Sequence, residues 1–338
     1  MSFLAGIDLH SNNNYIGLIN DDGEKLLQKK NPNSLDAVLK TLNPFKEEIE
    51  GIVVESTFNW YWLVDGLMES GYKVHLANPS AIQQYKGLKH ANDQTDAYWL
   101  SEMLRLNILP EGYIYPKEER GVRDLLRKRM LLVRHRTALI LSVQGMINNN
   151  TGIKLSRTES QNLTPEIIQQ LLGQTHHEMA AQGLYAVIEA FNKETKKIET
   201  EVLKEVKLKP QFKKLLGVPG IGKILGITIM LETGDINRFK SVGNYSSYCR
   251  CVSATRFSNG KKKSEGNRKN GNKYLSWAYV EAVHYMCRFN PQARKWFQKK
   301  AAKKGNIVAT KALSNKIARA CYYIIKDQTL FDPDKLFC

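Results

Sequence analysis

Four acidic residues in the first hundred positions have the types and the spacing of a metal-dependent nuclease site. Asp8 lies near the end of an apolar strand segment, and Glu55 lies near the end of another. Asp93 and Asp96 are three residues apart at the predicted start of a helix, which puts both on one helix face. Carboxylate oxygens are the ligands that Mg²⁺ prefers, and two such ions about 4 Å apart support phosphoryl transfer.

Each of these acids also has a simpler interpretation. Asp93 and Asp96 suit the N-cap and first turn of a helix, where the backbone dipole favours negative charge. Glu55 suits a solvent-facing strand end. Asp8 is harder to explain in this way, because it interrupts the segment "AGIDLH", which otherwise reads as buried. The order of the four acids along the chain is therefore more specific than any one of them.

The elements that must position these acids alternate between strand and helix. Strands are predicted over 3–9, 15–20, 25–30, 51–57 and 72–78, and helices over 34–45, 59–71 and from 93 onward. This alternation predicts an α/β sheet over residues 1–105. Both strand-borne acids then emerge at the edge of the sheet.

The remainder of the chain reads as mainly helical. Two long helices, 119–150 and 177–206, predict an antiparallel pair, possibly as a coiled coil. From residue 208 a helix, a tight Gly-Pro-Gly turn and a second helix follow. Residues 258–273 are polar, basic and rich in glycine, and are expected to form a mobile surface loop.

The charge of the chain is divided unevenly. The formal net charge is +17, yet the first 100 residues hold eight Lys, no Arg and thirteen Asp and Glu, a net of −5, which leaves +22 on the rest. This asymmetry favours a carboxylate-bearing catalytic domain joined to domains that hold a polyanion such as nucleic acid.

Targeting and redox signals are sparse. The N-terminal segment "MSFLAGIDLH" lacks the pattern of a signal peptide, and the longest apolar stretch is broken by Pro219, glycines and Lys223, so no membrane association is expected. The five cysteines indicate reduced thiols rather than a disulfide framework. We therefore expect a cytoplasmic protein.

The segments "GIDLHSNNNYIGLIND", "VVESTFNW" and "NDQTDAYWL" together resemble the RuvC-like, RNase H-fold domain of the insertion-sequence 110/1111 transposases and the related Piv-type DNA invertases. The resemblance implies that the family's Asp-Glu-Asp-Asp tetrad is Asp8, Glu55, Asp93 and Asp96. It also implies two Mg²⁺ ions, for which Mn²⁺ can substitute, held by these four residues.

The C-terminal segment "LLGVPGIGKILGITIMLETGDINRFKS" is similar to the family's transposase domain, which opens with a helix-hairpin-helix-like turn. In "FSNGKKK", the resemblance places the family's nucleophilic serine on Ser258. The family has Gly after this serine, where this chain has Asn259, and Ser253 and Ser264 stay as alternatives. A serine hydroxyl that attacks the scissile phosphate forms a covalent phosphoserine link and splits the reaction into two steps.

Three groups of residues are predicted to contact nucleic acid. The first lies on the 119–150 helix, the second in the turn near Pro219, and the third around Ser258; a solvated charged surface or a simple helix corner is the plainer interpretation of each. Their members are Arg123, Arg127, Arg134, Gly220, Gly222, Lys223, Arg256, Lys261, Lys262, Lys263, Arg268, Lys269 and Lys273.

The resemblance implies three domains: a RuvC-like catalytic domain (1–110), a helical coiled-coil linker or oligomerisation region (111–207), and a mainly α-helical transposase domain (208–338). It further implies a recombinase that cuts and rejoins double-stranded DNA, is guided by a structured bridge RNA, and works as a dimer or tetramer. Two alternatives stay open. A RuvC-like Holliday-junction resolvase would use water as its nucleophile, and a non-catalytic nucleic-acid-binding protein would need neither the acids nor the serine.

Overall fold

The computed structural model describes residues 2–82, 93–173, 176–207, 209–252, 255–265 and 270–337, with backbone alone for 93–94, 255–258 and 262–265. The chain divides into two compact units. The first unit contains the residues up to Lys117, and the second contains most of the chain from Glu118 onward. Each unit is described by itself below.

A five-stranded mixed sheet forms the centre of the first unit. Its strand order is β3-β2-β1-β4-β5. Strand β1 pairs antiparallel with β2 and parallel with β4, and β4 pairs parallel with β5. The strands are β1 (Phe3–Leu9), β2 (Asn13–Asn20), β3 (Lys25–Pro32), β4 (Ile49–Glu55) and β5 (Val74–Ala77). The predicted strands are confirmed.

Helices cover both faces of this sheet. Successive residues of β4 point to opposite faces, so alternate residues pack in two separate cores. Ile52 and Val54 pack in a core with α1 (Leu35–Leu42) and α2 (Tyr61–Glu69). Val53 packs in a separate core with α3 (Asp93–Arg105). The predicted α/β architecture of the first hundred residues is therefore confirmed.

The second unit is almost entirely helical. Two long helices, α4 (Lys117–Thr151) and α7 (His176–Val206), match the two long helices predicted from the sequence. The other helices of this region are α5 (Arg157–Gln161), α6 (Pro165–Leu172), α8 (Pro210–Leu215), α9 (Lys223–Thr233), α10 (Val242–Tyr248), α11 (Lys273–Phe289), α12 (Pro291–Lys304), α13 (Asn306–Lys326) and α14 (Pro333–Phe337).

The two long helices run antiparallel to each other. Arg129 Nη2 lies 2.6 Å from Glu199 Oε1, and Arg136 Nη1 donates to Asn192 Oδ1 over 2.8 Å. The position of the partner on α7 falls as the position on α4 rises, which defines the antiparallel direction. The antiparallel pairing is thus observed, while a coiled-coil geometry stays a prediction.

Composition predicted a mobile surface loop over 258–273. Within that range, residues 258–265 are instead part of a β-hairpin of β6 (Thr255–Ser258) and β7 (Lys261–Glu265), and residues 266–269 lie outside the described residues. Asn259 and Gly260 occupy the turn with φ of 50° and 69°. Two residues with positive φ make the turn whose twist matches a hairpin, and Asn-Gly is its preferred sequence. The loop was predicted because the basic, polar composition of the segment was given more weight than this local turn signal.

Within the described ranges, no helix combines the length and apolar character needed to span a bilayer. Cys249, Cys251, Cys287 and Cys321 are all free thiols. Burial raises the pKa of Cys251 and of Cys321 to about 12. These two thiols are therefore protonated at neutral pH and act as small apolar core residues.

Candidate functional site

Asp8 and Glu55 lie at the same edge of the sheet. Strands β1 and β4 are parallel, and Ile7 pairs with Val54 in their register. Each acid is the next residue along its own strand. Because the carboxyl ends of parallel strands meet at one edge, this register brings the two acids side by side, as the sequence predicted.

Two glycines make room for the helix that carries the third acid. Gly6 and Gly17 are direct partners across β1 and β2. A Cβ at Gly6 would lie 2.0 Å from the backbone oxygen of Ala97, and one at Gly17 would lie 3.0 Å from the backbone nitrogen of Tyr98. Helix α3 therefore approaches the sheet more closely than any residue with a side chain would permit. This close approach places Asp96 above the edge that carries Asp8 and Glu55.

The carboxylates of this cluster perturb one another. Asp8 is only 3% exposed. Burial, a side-chain hydrogen bond with Asp8 and the negative charges of Asp8 and Asp96 together raise the pKa of Glu55 to about 8. Burial and these neighbouring acids therefore favour the protonated form of Glu55 more strongly than in an ordinary carboxyl group. Loss of hydration and nearby negative charge both disfavour a second carboxylate in a partly buried pocket.

His10 belongs to the same edge, and the sequence reasoning missed it. Its Nε2 lies 3.3 Å from Asp8 Oδ2. Its backbone oxygen accepts hydrogen bonds from Asn33 Nδ2 at 2.9 Å and from Asn59 Nδ2 at 3.1 Å. The turn after β1 is thus fixed by two side-chain amides from other elements. The signal was the His in "GIDLH", two residues after the acid.

Oxygen donors of this kind suit a hard divalent cation, and the negative charges of Asp8 and Asp96 near Glu55 favour a positive charge among them. As arranged in the described residues, no group of three or more His, Cys, Asp or Glu side chains already encloses a metal position. Asp93 lies in the first turn of α3, but its side chain lies outside the described residues. Of the four predicted acids, the structure thus shows three, Asp8, Glu55 and Asp96, close enough to interact with one another.

Phe58 is a second residue that the sequence reasoning missed. It lies three positions after Glu55, in the loop between β4 and α2, and it is 85% exposed. It thus presents an aromatic ring to solvent, close in sequence to one acid of the cluster. Exposed aromatic rings are able to stack on nucleic-acid bases, which makes Phe58 a candidate for such a contact. The sequence signal for this residue was the aromatic ring within "ESTFNW", three positions after the acid Glu55.

Ser258 is the last residue of β6, directly before the hairpin turn, and it pairs with Lys261 of β7. Lys261 is exposed. The side chains of Ser258, Ser264, Arg256, Lys262 and Lys263 lie outside the described part of the chain. The same holds for the whole of Ser253, Arg268 and Lys269.

The base of the segment that carries the hairpin is closed by hydrogen bonds. Arg250 Nη2 donates to the backbone oxygen of Gly271 over 2.9 Å, and the backbone nitrogen of Asn272 donates to Tyr248 O over 2.6 Å. Gly271 has a φ of +80°, and a Cβ there would lie 2.5 Å from Tyr248 O. The two ends of the segment are thus held together, and position 271 requires glycine.

The predicted basic residues of α4 differ in their surroundings. Arg134 is exposed, whereas Arg123 is buried. Arg127 forms an ion pair with the buried Glu232. Contact with nucleic acid stays a prediction for all three. For Arg123 and Arg127 the structure shows a role within the protein.

The turn near Pro219 combines packing with exposure. Gly220 has a φ of +89°, and a Cβ there would lie 2.5 Å from the backbone nitrogen of Met286 on α11. Gly222 has open space around it and is the N-cap of α9, with no side-chain cap. Lys223 and Lys273 are exposed. The conformation and close packing of Gly220 explain that glycine, while Gly222 and Lys223 are accessible to a ligand.

Comparison with known proteins identifies the family of the chain. A family model described as "Transposase", the DEDD transposase of the IS110 group, matches residues 5–149. A second model, "Transposase IS116/IS110/IS902 family", matches residues 213–298. The class of protein is therefore a DNA transposase, an enzyme that acts on DNA. The chain belongs to the IS110 family of transposases.

Curated relatives carry names of the same kind. The chain is 24% identical over 287 residues to a "Probable family 20 transposase" of Pseudomonas aeruginosa, covering 81% of this chain and 82% of that one. It is 23% identical to the "Transposase for insertion sequence element IS1328" of Yersinia enterocolitica, covering 97% and 98%. Among solved structures, T. thermophilus RuvC in complex with a Holliday junction substrate matches 33% of this chain and all of its own, at 16% identity and a TM-score of 0.26.

Proposed function

We propose that this transposase cuts and rejoins double-stranded DNA with the acids Asp8, Glu55, Asp93 and Asp96 and with Ser258 as nucleophile. The observation that carries the proposal is the convergence of Asp8, Glu55 and Asp96 at one sheet edge, where burial first, and then the hydrogen bond with Asp8 and the charges of Asp8 and Asp96, raise the pKa of Glu55 to about 8. Asp93 shares the first turn of α3 with Asp96. A mixed sheet with three antiparallel and two parallel strands supports an RNase H-like, RuvC-like assignment for this region.

The four acids are proposed to hold two Mg²⁺ ions, and Mn²⁺ is expected to substitute. Bound metal would activate the attacking oxygen and stabilise the leaving oxygen. The residues fit this role because their ligand atoms are hard oxygens and because their mutual repulsion favours a cation among them. His10, 3.3 Å from Asp8, would orient that carboxylate.

The reaction is proposed to take two balanced steps. The Ser258 hydroxyl attacks the scissile phosphorus and gives its proton to a carboxylate. The bond from phosphorus to one DNA oxygen breaks, and that oxygen takes up the proton from the carboxylate and leaves as a hydroxyl. A hydroxyl on a second DNA end then attacks the phosphoserine, and the proton returns to the serine oxygen. Because the ester conserves the phosphodiester bond, no ATP is required. Holliday-junction-like intermediates follow from two such exchanges.

The remaining assignments are proposed on the family resemblance. Residues 1–110 form the catalytic domain, 111–207 the coiled-coil and oligomerisation region, and 208–338 the transposase domain with a helix-hairpin-helix-like turn. A structured bridge RNA selects donor and target DNA, and dimers or tetramers combine one subunit's acids with another's serine. The exposed basic residues Arg134, Lys223, Lys261 and Lys273 support the nucleic-acid contacts.

A covalent-adduct assay tests this function. Purified protein, Mg²⁺, the element's own flanking non-coding RNA and labelled DNA are combined for wild type, Ser258→Ala and Asp8→Asn. Of these three proteins, we expect only the wild type to become attached to DNA. Two further variants, Ser253→Ala and Ser264→Ala, are expected to retain the adduct. Cleavage by Ser258→Ala without an adduct would favour the resolvase reaction with water. Full cleavage by Asp8→Asn would contradict the proposed metal site.

A further inference from the structure

A groove of about 940 Å³ lies within the second unit, and neither the acids nor the hairpin residues line it. One wall is the segment from Leu216 to Leu225, which includes the Pro219 turn, and the other is the outer face of α11. Its volume is at the upper end of the roughly 300–1,000 Å³ typical of ligand sites. The groove is therefore large enough for an extended ligand.

The α11 wall is an aromatic stripe. Trp277, Glu281, Tyr285 and Phe289 follow one another at four-residue intervals, so they line one side of the helix. Tyr285 is 41% exposed and Phe289 is 65% exposed. The opposite face of α11 is already buried in the core, through residues such as Tyr279 and Met286. Trp277 packs partly against the core, whereas the rings of Tyr285 and Phe289 are exposed and available for a ligand.

Cations surround these rings. Arg157 and Lys223 line the groove and are exposed. Arg129 also lines it and is paired with Glu199, while Glu281 is the acid of the aromatic stripe. The groove therefore presents more positive than negative charge beside flat apolar surfaces. This combination is complementary to a strand of unpaired nucleotides, whose bases stack on rings and whose phosphates bind cations.

We propose that this groove binds a single strand of nucleic acid, with Tyr285 and Phe289 as stacking platforms and Arg157 and Lys223 as phosphate contacts. A duplex is excluded as the preferred ligand because its bases are already stacked on each other and do not offer their faces. The unpaired strand can be RNA or DNA, since both present the same chemistry. The site goes beyond strand cleavage, because it requires neither the acids nor Ser258.

The test measures binding by fluorescence anisotropy of short labelled oligonucleotides to the full-length protein. Three ligands are compared: single-stranded RNA, single-stranded DNA of the same sequence, and the DNA duplex. Variants are Tyr285→Ala, Phe289→Ala and the conservative Phe289→Tyr. Ile307→Ala is the matched control, because Ile307 is 88% exposed and does not line the groove.

Each alanine variant is expected to weaken single-strand binding roughly tenfold, with little change for the duplex. Phe289→Tyr and Ile307→Ala are expected to bind as wild type. Lys223→Gln and Arg157→Gln are expected to reduce the slope of affinity against salt concentration. The arm with the tighter binding, RNA or DNA, identifies the natural source of the strand.

Unchanged single-strand binding in the Tyr285→Ala/Phe289→Ala double variant would overturn the proposal, as would an equal loss for duplex and single strand. A shift of this double variant from oligomer to monomer in sedimentation, with single-strand affinity intact, would assign the groove to a second copy of the chain instead. Circular dichroism confirms that the variants are folded. None of these readouts depends on DNA cleavage, so failure here is distinct from failure of the proposed function.

Discussion

Arg127 and Glu232 form a two-point ion pair that joins α4 to α9. Arg127 Nε lies 2.6 Å from Glu232 Oε1, and Nη2 lies 2.7 Å from Oε2. The Glu232 side chain is 1% exposed. Asn272 donates to Glu232 Oε2 over 2.7 Å and also caps the N-terminus of α11 through Tyr274. The buried pair therefore supports the base of the segment that carries the hairpin.

Breaking this pair from one side is expected to destabilise the protein. Arg127→Met leaves a buried carboxylate without its partner, which costs about 3–5 kcal/mol in the free energy of unfolding. The double variant Arg127→Met/Glu232→Met removes both charges and is expected to recover much of that loss. Urea denaturation of the wild type, Arg127→Met, Glu232→Met and the double variant, compared in a double-mutant cycle, measures the coupling between the two residues.

The matched control for this cycle is Lys204→Met. Lys204 pairs with Glu201 at 3.1 Å, and both side chains are more than half exposed. Such a surface pair is worth about 0–1 kcal/mol. Limited proteolysis between residues 253 and 269 is expected to be faster in Arg127→Met alone. A loss in Arg127→Met no larger than that in Lys204→Met would contradict a structural role for the pair.

Gly6→Ala is expected to reduce both stability and DNA cleavage. The new Cβ would meet the backbone oxygen of Ala97 at 2.0 Å, so α3 must move away from the sheet and take Asp96 with it. Overpacking of this kind costs about 1–3 kcal/mol. Thermal unfolding and the adduct assay measure the two effects.

Gly121→Ala is the control for this substitution, because nothing lies within 4 Å of a Cβ at that helical position. It is expected to preserve cleavage and to leave stability equal or raised, since alanine favours a helix interior over glycine. Wild-type cleavage by a folded Gly6→Ala protein would show that the position of Asp96 is not set by this contact.

The pKa of Glu55, raised from 4.5 to about 8, makes the stability of the metal-free protein depend on pH. Between these values the folded state holds a proton that the unfolded state releases. The contribution of Glu55 is therefore fully present below about pH 4.5 and is lost as the pH rises toward 8. The slope is at most about 1.4 kcal/mol per pH unit.

Urea denaturation in EDTA from pH 5 to 9 measures this slope, and Glu55→Gln is expected to flatten it. Glu47→Gln, at an exposed position, is the control and is expected to keep the wild-type slope. Mg²⁺ competes with the proton, so the stabilisation it provides is expected to grow as the pH rises. A slope that is identical in wild type and Glu55→Gln would contradict the raised pKa.

Phe58→Ala is expected to reduce DNA cleavage by roughly tenfold or more, because a ring that stacks on bases contributes about 1–3 kcal/mol. Phe58→Trp should retain activity, since it keeps an aromatic face. Met68→Ala removes another exposed apolar side chain of the same unit, at 49% exposure, and should cleave as wild type. Single-turnover cleavage rates of the three variants measure the contribution of the Phe58 ring. Equal rates for Phe58→Ala and Met68→Ala would rule out a stacking role for Phe58.

The sequence by itself determined the order of strands and helices in the first hundred residues, the two long helices, and the four acids at strand ends and a helix start. These features follow from periodicity and from residue types that act over a few positions. The hairpin at 255–265 was local as well. Its Asn259-Gly260 turn was readable, and a basic composition obscured it.

Tertiary structure alone decided which side chains meet. The raised pKa of Glu55 depends on its burial and on Asp8 and Asp96. The register of β1 and β4 brings Asp8 beside it, and Asp96 approaches because two paired glycines let α3 lie against the sheet. In the sequence, Arg127 resembles a solvent-exposed basic residue. Packing brings Glu232, 105 positions away in the chain, within hydrogen-bonding distance of it. The aromatic stripe of α11 lies at the surface because the opposite face of the helix is buried in the core. Burial and electrostatic coupling arise between residues distant in sequence, and no local pattern encodes them.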